Sequence, residues 1–197
     1  MIAIDMKRAL AALACAAALT LPAGAAELTL DTAHSQARFA VRHLAISTVE
    51  GRIPITAGTI ATGENDVPTA ISATLDVRGI NTEAERRDND LRSANWFDVE
   101  KFPTMTFVAK KIEAGAGGSF TVIGDLTFHG VTKSATLQGK VDGRLVDQRG
   151  RAHIGFSAIT TIDRRDWGLT FAAAPGGNLI AGYDITIRLN VEGISKV

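Results

Sequence analysis

Tyr183-Asp184-Ile185-Thr186-Ile187-Arg188-Leu189-Asn190-Val191-Glu192 carries an apolar residue at every odd position and a polar one at every even position. Successive side chains of a strand point to opposite faces, so a strict period of two describes one buried and one solvated face. A helix of 3.6-residue period would scatter the same apolar residues around its circumference. The stretch is therefore read as a half-buried β-strand.

The same period recurs upstream. Ile71-Ser72-Ala73-Thr74-Leu75-Asp76-Val77-Arg78 alternates throughout. Phe120, Val122, Leu126 and Phe128 share one face, interrupted by Gly124, and Val131, Ala135, Leu137 and Val141 share another across Lys133 and Gly139. Turn residues punctuate these runs: His129-Gly130 has the two-residue spacing of a tight hairpin, while Gly115 to Gly118 and Pro175-Gly176-Gly177 mark longer loops. The order predicts an antiparallel meander of about eight strands near residues 27–44, 49–61, 69–78, 104–113, 119–128, 131–142, 151–163 and 179–192, the first broken by a bulge.

One stretch departs from the period. Thr82 followed by Glu85 has capping-box spacing, and the residues from Glu85 to Ser93 read as a short polar helix ending at Asn95-Trp96-Phe97. Such a helix cannot cover the apolar faces of eight strands. The sheet must cover itself, by closing into a barrel or folding over as a sandwich.

An eight-stranded barrel encloses just enough space for its own side chains, or for one ligand when those are small. Ala37, Ala73, Ala109, Ala135, Gly139, Ala152 and Ala158 are small candidates for inward positions. The walls of a lumen would be Phe39, Val41, Leu75, Val77, Phe107, Phe120, Val122, Leu137, Phe156, Ile185 and Ile187. A dry core of interdigitating large and small residues fits the same pattern, and periodicity does not separate the two.

The N-terminus reads as a secretory signal over residues 1–25. Lys7 and Arg8 precede a run of mostly Ala and Leu from Ala9 to Leu21, and Ala23-Gly24-Ala25 has the spacing that a signal peptidase accepts. Residues 26–197 form the expected domain, with no transmembrane segment, and export follows. The single cysteine, Cys15, falls inside the signal, so thiol and zinc–thiolate chemistry are excluded from the mature chain. The whole chain balances 21 basic against 21 acidic residues. Nothing in that balance recruits nucleic acid or an anionic surface.

Catalytic and metal candidates are sparse. His34, His43, His129 and His153 show no metal-ligand spacing, so no metal site is expected. Ser35 or Ser157 with His34 or His153 and an aspartate makes a triad only on paper, since no strained elbow presents a serine nucleophile. The acidic start Thr82-Glu83-Ala84-Glu85 would repel phosphate from the helix terminus. No catalytic residue and no cofactor are expected.

His34-Ser35, Phe39-Ala40-Val41-Arg42-His43, Arg87-Asp88, Leu91-Arg92-Ser93, Trp96-Phe97-Asp98-Val99, Lys101-Phe102-Pro103 and Phe107 follow one another in a characteristic order. Downstream come Gly124-Asp125-Leu126-Thr127-Phe128-His129-Gly130-Val131-Thr132-Lys133 and Arg164-Arg165-Asp166-Trp167-Gly168. In order and spacing these motifs resemble the YceI-like family across nearly the whole mature chain. The resemblance implies a lipocalin-like periplasmic barrel that binds polyisoprenoid chains of the quinone or prenyl diphosphate type, and it leans toward a homodimer. Two positions depart from the family pattern: Asp90 stands where a histidine is usual, and Asn95 where an aspartate is usual. An anionic group at position 90 counts against a head-group role for the helix.

The expected function is therefore a carrier for an isoprenoid lipid, with an isomerase or hydrolase acting on a hydrophobic substrate in the same cavity as the alternative. The lipid contacts would be the wall residues named above together with His43, Trp96 and Phe97. His43 shares a face with Phe39 and Val41 and is either a core histidine or a ligand contact. Trp96 and Phe97 either plug or flank the lumen, or serve as core anchors. Arg87 pairs with Asp88 to fix the helix, or else Arg87 and Arg92 take a polar head group at the mouth.

Overall fold

The computed structural model describes residues 26–170 and 180–196. The expected signal over 1–25, with Cys15, and the Pro175-Gly176-Gly177 loop lie outside the described residues. Among those described are ten strand segments and one α-helix: β1 (Ala26–Leu30), β2 (Gln36–His43), β3 (Ser47–Ile53), β4 (Ile55–Thr62), β5 (Pro68–Asp76), α1 (Glu85–Arg92), β6 (Thr104–Ala114), β7 (Ser119–Phe128), β8 (Val131–Val146), β9 (Ala152–Asp163) and β10 (Ala181–Ser195). None of the described helices is long and apolar enough to cross a membrane.

The segments form one antiparallel sheet in the order β1-β4-β5-β6-β7-β8-β9-β10-β2-β3, and a further β1–β10 pairing closes it. Residues 28–30 of β1 and the whole of β2 lie along the same edge of β10, so they act as one interrupted strand. At the interruption the carboxylate of Asp31 accepts from the amides of Ala33 and His34 at 2.9 and 3.3 Å. Asp31 N donates to Glu192 O at 2.8 Å and Glu192 N to Ser35 Oγ at 3.1 Å, which keeps the ladder groups satisfied through the break. β3 and β4 likewise continue one another across Pro54, β3 pairing with β2 and β4 with β1 and β5. With these two junctions counted as breaks within strands, the fold is the expected closed eight-stranded antiparallel barrel with a single helix.

Between β7 and β8 the two-residue turn has φ of 50° at His129 and 72° at Gly130, the left-handed pair that matches strand twist in a tight hairpin. Gly130 also allows the ring of Phe102 to lie against its backbone.

Two local expectations are corrected. The Thr82–Glu85 capping box does not form: the helix is capped at Ala84 without a side-chain hydrogen bond. Glu83, at φ 63°, turns the chain so that Thr82 points back under the helix instead of over its first turn. The small residues, in turn, do not simply open a lumen. Gly139 faces Phe120, its partner across β7 and β8, and the ring occupies the space that a Cβ would need. Phe107 covers Gly124 in the same way, and Phe39 covers Gly51. Much of the volume surrendered by the glycines is refilled by neighbouring aromatic rings.

Candidate functional site

Inward-facing residues differ around the barrel. On β7, Phe120, Val122, Gly124, Leu126 and Phe128 are all buried. The alternating β10 residues Ile185, Ile187, Leu189 and Val191, with Phe39 and Val41 on β2, are only partly buried. On this side lies a cavity of about 230 Å³. Its wall comprises Ala37, Phe39 and Val41 of β2, Val49 and Ile53 of β3, Ile185 and Ile187 of β10, and Leu75, Met105, Phe128 and Ile162 from the strands opposite. Leu91, Trp96 and Phe97 cover it.

The cover exists because β3 has a free edge. Before Pro54 that edge has no strand partner among the described residues and meets the rest of the chain at a single bridge between Arg52 and Asn81. Residues 77–103, between β5 and β6, lie over the opening and carry α1. Trp96 is buried, and Phe97 stacks edge-on against Phe128 with ring centroids 5.2 Å apart.

Of the residues expected to meet a lipid, Phe39, Val41, His43, Leu75, Trp96, Phe97, Ile185 and Ile187 line this cavity, and Arg87 does too. Val77, Phe107, Phe120, Val122, Leu137 and Phe156 do not line it; they belong to the filled core. There, side chains from facing strands meet, as in the edge-on pair of Phe120 and Phe156 at 6.4 Å. The interior is thus part lumen and part dry core.

The two helix arginines are anchors. Thr82 and Asp88 are buried, and Asp88 Oδ1 accepts from Thr82 N at 2.9 Å and from Thr82 Oγ1 at 2.5 Å. Arg87 Nε donates to Thr82 Oγ1 at 2.7 Å and Nη2 to Thr82 O at 2.8 Å. Arg87 and Asp88 therefore meet through Thr82 and not in the direct salt bridge expected. Arg92 is off the cavity wall and donates to the carbonyls of Arg78 and Ile80, both at 2.8 Å.

Sequence reasoning passed over Arg164. It lies two residues beyond the inward Ile162, in a 3-10 turn over Arg164–Trp167, and it lines the cavity while only 4 % exposed. Its Nε and Nη2 donate to the carbonyls of Gly182 and Ala181 at 2.9 Å, and Nη1 donates to Leu169 O. The guanidinium carbon sits 5.7 Å from the Trp96 ring centroid and 5.1 Å from that of Tyr183. Burial pushes its pKa down, because desolvation disfavours the charged form. The available signal was parity: counting from Ile162, a charged residue falls at an inward position.

Away from the cavity, His153 lies between two carboxylates, with Nδ1 2.7 Å from Glu192 and Nε2 3.3 Å from Asp147. No group of three or more His, Cys, Asp or Glu side chains is arranged to hold a metal among the described residues. Ser157 Oγ donates to Asp142 at 3.0 Å and Ser35 engages the backbone of Glu192, so neither serine meets a histidine.

Comparison with known proteins agrees with this architecture. A UPF0312 protein of Vibrio vulnificus is 31% identical over 182 residues, covering 91% of this chain and 93% of that protein. One from Pseudomonas aeruginosa is 32% identical over 197 residues, covering 97% and 100%. Among solved structures, a Campylobacter jejuni YceI protein is 28% identical with a TM-score of 0.69, covering 79% of this chain and 90% of that one. Burkholderia cenocepacia BcnA shares the fold at 17% identity and a TM-score of 0.72, covering 83% and 98%. A polyisoprenoid binding domain from Saccharophagus degradans shares it at 15% identity and a TM-score of 0.63, covering 86% and 98%. The YceI-like domain matches residues 28–193, and the chain belongs to the YceI-like family.

Proposed function

We propose that this protein is a periplasmic, non-catalytic binding protein that carries a long isoprenoid lipid of the quinone or prenyl diphosphate type in its barrel. The carrying observation is the apolar cavity beneath the 77–103 segment, in a chain whose structural relatives include a domain named for polyisoprenoid binding. Each methylene buried there contributes about 0.8 kcal/mol, so affinity rises with chain length more than with polar contacts. At about 230 Å³ the cavity is below the ~300–1,000 Å³ of sites that bury drug-sized ligands, so a long chain would extend through the mouth. The signal-like character of residues 1–25 supports export.

The enzymatic alternative needs a histidine and a carboxylate within reach of each other at the cavity. Among the described lining residues there is one of each, His43 and Asp90, and no hydrogen bond joins them; the Asp90 carboxylate is engaged by Trp96. Mass spectrometry of an organic extract of the purified protein tests the binding reading. A co-purifying isoprenoid is expected. Absence of any lipid, together with no uptake of a prenyl panel by delipidated protein, overturns it.

A further inference from the structure

A buried charge is ordinarily matched by an opposite one, because desolvating an ion costs far more than dipoles alone return. Arg164 has no such match. Among the described residues no carboxylate forms a salt bridge with it, and its sequence neighbour Asp163 is held by Arg165, with Nη2 to Oδ2 at 2.5 Å. The stretch 171–179, outside the described residues, contains no acid in its sequence. Three backbone carbonyls and the faces of Trp96 and Tyr183 surround the guanidinium, and all of these are neutral.

A guanidinium has five N–H donors. Three are given to Leu169, Ala181 and Gly182, which leaves one on Nη1 and one on Nη2, the paired geometry that grips an oxyanion in a fork. The other arginines beside the cavity differ from it. Arg87 is exposed, and Arg38 and Arg42 alternate with the lining Phe39 and Val41, so their side chains run to the outer face of β2, where they meet Gln36 and Thr48. Among the described lining residues the buried cation is Arg164, against the single carboxylate of Asp90, which Trp96 engages.

We propose that Arg164 is the head-group residue of this cavity, binding a phosphate-type oxyanion at the end of the lipid and supplying the selectivity for anionic over neutral isoprenoids. This rests on the lipid-binding reading and deepens it. The tail lies along Phe39, Leu75 and Ile187, and the anion completes the charge balance that the chain itself leaves open. Arg92 is off the cavity wall and Arg87 is exposed to solvent, whereas Arg164 is buried in the wall with two donors unspent.

The test uses two probes with the same tail, geranylgeranyl diphosphate and geranylgeraniol, titrated into delipidated protein. The wild type is expected to prefer the diphosphate by at least about tenfold. Arg164→Gln is expected to abolish that preference while binding the alcohol as before, a split that a purely structural arginine would not produce. Equal wild-type affinity for both probes overturns the head-group proposal and leaves lipid binding standing; binding of neither overturns the lipid reading itself. If Arg164→Gln does not fold, a crystal structure of the wild type with geranylgeranyl diphosphate decides. Phosphate oxygens within hydrogen-bond distance of Arg164 support the proposal, and phosphate held elsewhere at the rim overturns it.

Discussion

The indole N–H of Trp96 donates to Asp90 Oδ2 at 3.1 Å, tying the cover of the cavity to the helix beside it. Asp90 thus holds an aromatic lid in place. Asp90→Ala is expected to release this hydrogen bond, costing about 1 kcal/mol in stability. It should also speed exchange of bound lipid. Stopped-flow displacement of a fluorescent prenyl probe measures the second effect, and an unchanged off-rate would detach Trp96 from gating.

Asp88 is the keystone of the helix base. Asp88→Ala leaves the buried Thr82 amide without its acceptor, and about 1–3 kcal/mol of stability should be lost in denaturant unfolding. Thr82→Val removes the hydroxyl that both Arg87 and Asp88 engage, and should cost less when made in the Asp88→Ala background than alone.

Lumen and dry core are separable by mutation. Ile187→Trp adds bulk to the cavity wall, so it should reduce the lipid recovered per protein with little loss of stability. Phe120→Ala empties a packed site and should cost about 3–5 kcal/mol while leaving lipid selectivity intact. Quantitative extraction beside urea unfolding distinguishes the two patterns.

His153 links stability to pH. Its hydrogen bond to Glu192, and secondarily that to Asp147, raises its pKa above the ordinary histidine value. A group raised on folding stabilises fully below its unfolded pKa, near 6.5, and the contribution is lost as pH rises through the higher folded value. Asp147 has the opposite sign: hydrogen bonds led by the Arg151 amide lower its pKa, so its contribution is lost only in strong acid. Thermal melting from pH 6 upward should therefore show a decline that His153→Gln removes. An identical slope in that variant would assign the decline to another group, such as His34 beside Asp31.

The strands were legible because alternation directly reports a one-sided sheet, and the hairpin at His129-Gly130 because few turns suit two positive φ angles. What alternation does not report is depth along the barrel. Phe120 and Ile187 have the same parity, yet one packs against Phe156 and the other borders open space. Gly139 read as room for a ligand because the ring that fills it belongs to the next strand. Thr82 matched a capping box in spacing, but the left-handed turn at Glu83 redirected it. Arg164 stands in a run of charged residues, Asp163 to Asp166, in which only parity counted from Ile162 separates the inward side chain from the outward ones.

The bridge between Arg52 and Asn81 sets the mechanics of the mouth. The hydrogen bonds of Thr82, Arg87, Asp88 and Arg92 all fall within residues 77–103. The backbone bonds that fasten this segment to the free edge of β3 are the two between Arg52 and Asn81, at 2.9 and 3.0 Å. The segment is consequently a stiff flap with a thin polar seam: parting the seam breaks two hydrogen bonds and leaves every ladder of the barrel whole, so what holds the flap down is the burial of Ile80, Trp96 and Val99 beneath it and not the sheet.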